Sequence, residues 1–455
     1  MLVIISDLHL GDGTCGKSIS PSAFHLFGGR LRELAYQASW RQDNTYRPIE
    51  SIDLVLMGDI LDPQHSTLWL DTQPGDPNYT RPWTDFREPG YAQKLQEVTR
   101  AILKYNNEGL GIFRECAKGQ LVFLPPATAQ GKPDYETDER FYPKFHIHYM
   151  VGNHDWHYHL PGPAFDQIRT EVIEAMGLSN PPDNFPWEIE ELEPLEERFA
   201  LYQAYGRHGD LYDKFNYNPV LGRDSATLGD IFAMEMLNRY PIEVSRQFGN
   251  ELSPALVDSL RKLTNIRPAL ATPLWISGQI KQHAKTHAME SQLKKIWDGM
   301  GQEFLALDFV RQADKAFQFD MVDALQLVLG ISKRTSFRRI NDVVVWVREK
   351  MWGGQISYTK HALAEPVFQK GSARFIAYGH THHHEIVPLD SDGLPPTTSY
   401  QIYMNSGSWH SYYTLTAKNP KDQKFVPYQM LSYLIFYRDD QRGGRHFEAW
   451  SGAFA

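Results

Sequence analysis

Five short stretches of this chain set aspartate, asparagine or histidine at the ends of apolar runs. They are Ser6-Asp7-Leu8-His9, Gly58-Asp59-Ile60-Leu61-Asp62, Gly152-Asn153-His154-Asp155, Gly206-Arg207-His208-Gly209-Asp210 and Gly379-His380-Thr381-His382. Carboxylate, carboxamide and imidazole together make an oxygen-and-nitrogen donor set suited to a borderline divalent metal. The donors are Asp7, His9, Asp59, Asn153, His208, His380 and His382. That is more than one tetrahedral ion can use. It suits two five- or six-coordinate ions sharing one carboxylate, which stabilise both the attacking and the leaving oxygen of an in-line displacement at phosphorus.

The elements that must position these residues are short apolar segments. Leu2–Ile5, Ile52–Met57, Gln120–Leu124, His146–Val151, Phe199–Tyr205, Phe375–Tyr378 and Tyr400–Met404 read as strands, the first as one buried on both faces. Ala23–Gln37, residues 91–105 and Phe165–Met176 read as helices, the last stopped by Gly177. Tyr433–Tyr437 and His446–Trp450 alternate as antiparallel strands do. Pro63–Gly90 and Asn180–Glu197 read as loops. In open α/β sheets a site forms at the carboxyl ends of strands, where five motif-bearing ends would converge. From about Ala226 to Lys370 the chain is helix-dominated, with starts such as Ser253-Pro254.

Composition sets the outer bounds. The chain has 455 residues, enough for two domains or one with a large insertion. Its 46 basic and 55 acidic residues give a net charge of −9, which weighs against a general polyanion binder. Only Cys15 and Cys116 are present, so there is no disulfide framework, and a reducing, cytoplasmic setting is expected. No apolar run is long enough to span a membrane.

The five motifs, in this order, resemble the calcineurin-like metallophosphoesterase superfamily, over residues 1–215 and 373–410. The resemblance implies a four-layer α/β/β/α sandwich with residues 1–225 and 371–455 as its core. Residues 226–370 are then a helical insertion acting as a cap. It implies two divalent cations, manganese first, with iron or zinc as alternatives. Asp7, His9, Asp59 and His382 would hold one, and Asp59, Asn153, His208 and His380 the other. A hydroxide between the ions would be the nucleophile, His154 would act at the substrate phosphoryl, and Asp155 would orient His154. The implied activity is hydrolysis of a small phosphorylated substrate: a phosphomonoester, phosphodiester or pyrophosphate. Around Asp7 and His208-Gly209-Asp210 the nearest branch is that of UDP-2,3-diacylglucosamine pyrophosphatases, which lack the long insertion. A nuclease and a non-catalytic scaffold on the same fold are the rival readings. Net acidity weighs against the first, and the complete donor set against the second.

Plainer roles are assigned elsewhere. Asp62 is expected to cap the turn that follows it, and Asp210 to orient His208. His157, His159, His383 and His384 are read as solvated or supporting histidines, and Cys15 as a packed thiol. The Lys333–Arg339 run, with Arg334, Arg338 and Arg339, is read as a solvated face, with phosphate recognition as its alternative.

Overall fold

A computed structural model describes the chain apart from residues 18, 214, 268, 284–285, 314–325, 327–328, 330–356, 393–398, 416–424 and 455. The protein is mixed α/β and is built on two mixed sheets. In the larger sheet β1 (Leu2–Ile5), β2 (Ser51–Met57) and β3 (Lys144–Met150) are parallel neighbours. The order continues from β1 through β10 (Phe425–Phe436) and β9 (Ser411–Leu415) to β5 (Ile266–Arg267), and β11 (Phe447–Phe454) also pairs β10. In the smaller sheet β4 (Ala204–Arg207), β6 (Phe375–Tyr378) and β8 (Ser399–Asn405) are parallel, and β7 (Glu385–Asp392) closes it antiparallel to β8.

Alternation along the strands builds two cores at once. Val3 and Ile5 join Leu54 and Leu56 on one face of the larger sheet, under Phe24, Leu95, Phe113 and Val172 of helices Pro21–Ala38, Pro89–Tyr105, Asn107–Ala117 and Pro163–Met176. Leu2, Ile4, Val55 and Met57 face the other way and pack on Tyr205, Ile376, Tyr378 and Met404 of the smaller sheet. Consecutive side chains of a strand point to opposite faces, so a short run buried on both sides is apolar throughout.

Several elements differ from the sequence reading. Gln120–Leu124 is not a strand. Only Leu124 bridges Phe141, and Pro125 and Pro126 bring no N–H to extend the pairing. Phe199 lies in a helix, Glu193–Leu201, that takes in the end of the presumed 180–197 loop, and the strand begins at Ala204. Pro194 in its first turn and the apolar pair Leu195 and Phe199, four apart, favour that helix. The sequence reading passes over the helix Asn107–Ala117, despite its buried Leu110, Phe113 and Cys116 at helical spacing, and strands β5, β7 and β9.

The described residues between β4 and β6 are mainly helical and have their own apolar cluster, which includes Ile231, Tyr240, Leu256, Ile276, Leu293 and Trp297. Tyr413 and Phe425 of β9 and β10 pack against that cluster. No helix among the described residues is long and apolar enough to cross a membrane.

Trp297 is fully buried, edge-on to Tyr240 at 5.3 Å between centroids. Trp297→Ala should cost roughly 3–5 kcal/mol of local stability through the cavity it leaves. Limited proteolysis should then cut the helical segment faster, with metal content of the surviving protein unchanged.

Candidate metal centre

Parallel strands deliver the motifs to one place. The strand bonding pattern runs on past their ends: Asp7 N–H donates to the Gly58 carbonyl (3.1 Å), Gly58 N–H to Met150 (3.0 Å) and Gly379 N–H to His208 (3.0 Å). The sheets are stitched together here as well. His380 N–H donates to the Asp7 carboxylate (3.1 Å to Oδ2), and His208 Nδ1–H to the Met57 carbonyl (3.1 Å).

The backbone at these ends is unusual. Asp7, His9, Asp59, His380 and His382 all have positive φ, between 47° and 64°. Such conformations are uncommon outside glycine, and Asp, Asn and His adopt them most readily. Each costs on the order of 1–3 kcal/mol and persists only where surrounding structure enforces it. Three glycines provide the room. A Cβ on Gly58 would collide with the His208 ring, one on Gly152 with Asp59 Oδ1, and one on Gly379 would lie 2.6 Å from Asp7 Oδ2. The glycine in each of these three motifs is therefore there for close approach.

Three groups of side chains result; one is His9, Asp62 and His65, and the other two share Asp59. In Asp7, His9, Asp59 and His382, and again in Asp59, His208 and His380, one donor atom per residue lies within 4.8 Å of the others. Asp59 belongs to both. His9 Nε2 is 3.7 Å from Asp59 Oδ2 and 3.1 Å from His382 Nε2, His382 Nε2 is 3.0 Å from Asp7 Oδ1, and His208 Nε2 is 3.1 Å from Asp59 Oδ2. These buried groups can hold a metal ion.

Second partners select which ring nitrogen is free. Asp62 Oδ2 holds His9 Nδ1 at 2.8 Å, and the Met57 carbonyl holds His208 Nδ1, so each presents Nε2. His380 Nε2 is 3.3 Å from Asp213 Oδ2, and its Nδ1 is buried without a partner. Asn153 is 3% exposed, and neither its amide oxygen nor its nitrogen has a hydrogen-bond partner. An unpaired buried amide is costly, and a cation beside its oxygen would relieve that cost. The orphaned Asn153 oxygen and His380 Nδ1 thus fit the donor set of a second cation.

Two assignments are corrected. Asp155 does not orient His154. Its Oδ1 accepts from Gly152 N–H (2.5 Å), and its Oδ2 from Ile60 N–H (2.9 Å) and the Tyr149 hydroxyl (2.6 Å), so it shapes the loop instead. Asp62 does that work: its Oδ2 lies 2.9 Å from His154 Nδ1. The expected capping role of Asp62 is also present, as its Oδ1 accepts from His65 N–H at 3.1 Å. Asp210 does not orient His208 either. It pairs with Arg223 at 2.6 Å, and the Met57 carbonyl accepts the hydrogen bond from His208 Nδ1–H.

Sequence reasoning missed His65, three residues beyond Asp62, whose Nδ1 is 2.9 Å from the same Asp62 oxygen. It also missed Asp213, just beyond the His208 motif. Among the described residues His157, His159, His383 and His384 join none of these groups. His157 stacks on Trp156, and His159 pairs with Asp224 at 2.7 Å. The Lys333–Arg339 run lies outside the described residues.

The electrostatics follow from burial. Burial raises Asp7 above its ordinary value. It opposes charge on Asp62 too, but His154 and His65 hold that carboxylate well below the usual range. Burial likewise works against protonation of His154, yet Asp62 and Asp59 push it up to about 10. Asp155 rises to about 7 through burial and the neighbouring Asp59 charge.

No family model and no curated protein matches the chain. Fold and site together define a mixed α/β protein whose strand ends carry buried carboxylate–imidazole groups able to hold a metal ion.

Because Asp59 alone belongs to both the Asp7 and the His208 groups, Asp59→Asn should weaken both. Elemental analysis after loading with manganese should show about two equivalents on the native protein and well under one on the variant. Two tightly held ions in Asp59→Asn would rule out the shared carboxylate.

Proposed function

We propose that this protein is a two-metal hydrolase of phosphate esters of the metallophosphoesterase type. The observation that carries the proposal is the pair of donor groups meeting at Asp59. In this reading Asp7, His9, Asp59 and His382 hold one cation, and Asp59, Asn153, His208 and His380 the other. When bound, the cations supply positive charge to a phosphoryl oxygen and lower the pKa of water. The two layers of sheet flanked by helices are the framework, and residues 226–370 are a cap.

The chain's own part in the chemistry falls to His154. It is 22% exposed while Asp62 beneath it is fully buried, so this ring reaches the solvent side of the cluster. Asp62 Oδ2 lies 2.9 Å from Nδ1 and pairs with that side of the ring, which leaves Nε2–H to meet substrate. The two carboxylates keep the imidazole protonated, and nearby dications would draw its pKa down from about 10 toward the working range of a general acid. From Nε2 the proton passes to the departing oxygen, or stays in a hydrogen bond to the phosphoryl group. His154 N–H donates to Asp59 Oδ1 at 2.8 Å, tying the acid to the shared carboxylate.

His154→Ala should keep its metals and lose roughly 10²–10⁴-fold in kcat, the span of a positioned acid, with a smaller loss on esters of activated leaving groups. Asp62→Asn should approach that loss. Asp155→Asn should instead lower the melting temperature, since its carboxylate binds the loop backbone. The measurement is hydrolysis of a phosphomonoester, a phosphodiester and a nucleotide-sugar pyrophosphate, with chelation and metal add-back. Native turnover by His154→Ala on an unactivated ester would remove the acid, and chelator-insensitive turnover would remove the metals.

A further inference from the structure

Beside the proposed centre, a shelf of aromatic rings leads away from His382. Tyr412 lies parallel to His382, with centroids 4.7 Å apart and planes 12° apart. His410 packs on Tyr412 at 5.4 Å and is held by Asn265, whose Oδ1 is 2.9 Å from its Nε2. At the end of the shelf the Arg267 guanidinium sits over the Tyr412 ring, 4.3 Å from its centroid.

Arg267 belongs to the helical part of the chain. It reaches the shelf because β5 pairs in parallel with β9, Ile266 opposite Tyr413 and Arg267 opposite Thr414. The guanidinium is only partly committed. Its Nη1 donates to the Thr264 (2.7 Å) and Ile266 (3.1 Å) carbonyls, and among the described residues no carboxylate pairs with it. It is half-buried, and its positive charge bears on both His382 and His410. Tyr412 is 5% exposed, and its hydroxyl is buried without a hydrogen-bond partner. A half-buried arginine with donors to spare, stacked on a tyrosine whose hydroxyl has no partner, is a site for anionic oxygen.

We propose that Arg267 and Tyr412 form a subsite for a second anionic group of the substrate, a phosphate or carboxylate a few bonds from the scissile phosphoryl. The inference rests on the hydrolase reading and names the substrate class for it: small esters that carry two anionic groups. It gives the helical segment a recognition role through a residue that it supplies beside the centre.

The test compares two p-nitrophenyl phosphodiesters that share a leaving group and differ in the other arm, ethyl or 2-phosphoethyl. The manganese-loaded native protein should show a KM about tenfold or more lower for the phosphoethyl ester, the range of a charge-assisted hydrogen bond. In Arg267→Ala that ratio should collapse toward one. Arg267→Lys should fall between, keeping the charge but losing the fork, and Tyr412→Phe should narrow the ratio less. Mere structural damage would depress turnover of both esters and leave the ratio intact, which would overturn the proposal, as would a native protein without preference. Calorimetry with ethyl phosphate and ethylene glycol bisphosphate supplies a readout independent of turnover. If neither ester is hydrolysed, the hydrolase reading falls while the affinity ratio still decides the subsite. Loss of tighter bisphosphate binding in Arg267→Ala supports it, and equal affinities in the native protein overturn it.

Discussion

Three carboxylates withdrawn from water at the strand ends are the constraint on which the rest of the structure depends. Asp7, Asp59 and Asp62 are each no more than 1% exposed. A buried carboxylate without compensation costs several kcal/mol, and backbone N–H groups are turned toward these three. The N–H groups of His380, His154 and His65 bond to Asp7, Asp59 and Asp62 in turn. Bringing these carboxylates and their donors together at the strand ends is accompanied by left-handed residues and side-chain-free neighbours: the positive φ angles at Asp7, His9, Asp59, His380 and His382 and the glycines at 58, 152 and 379.

Asp62 shows how tightly the cluster is wired. A single oxygen, Oδ2, lies within 2.9 Å of Nδ1 on His9, His65 and His154. A candidate ligand, the candidate acid and a third imidazole therefore crowd one carboxylate oxygen. Removing one of them changes the charge and position of the other two, so substitutions here will not add independently.

The sequence was most legible where a short apolar run ended at once in a cluster of polar donors. Leu2–Ile5 and Phe375–Tyr378 match the strands, and the donor residues at their ends meet as their order implied. It failed where a residue's partner is set by tertiary geometry. Nothing in Gly152-Asn153-His154-Asp155 tells that Asp155 turns back to its own loop, whereas Asp62, remote in sequence, supports His154. Phe199 was assigned to a strand because a short apolar run has no decisive period, and Pro194 was the overlooked signal. Arg267 was invisible for a related reason: the two-residue strand that carries it is defined only by its partner, β9.

The left-handed turns at Asp7, His9, Asp59, His380 and His382 also limit how this sequence can drift. At such a position a β-branched or bulky residue is penalised by its own backbone before its side chain is considered, and only Gly, Asn, Asp and His sit there at modest cost. Of these, glycine brings no donor, and asparagine only an amide oxygen, a weaker ligand than carboxylate or imidazole. Two unrelated filters, one conformational and one chemical, thus pass nearly the same two residue types, aspartate and histidine. A chain that abandoned the chemistry would still be held close to its present residues by the shape of its turns.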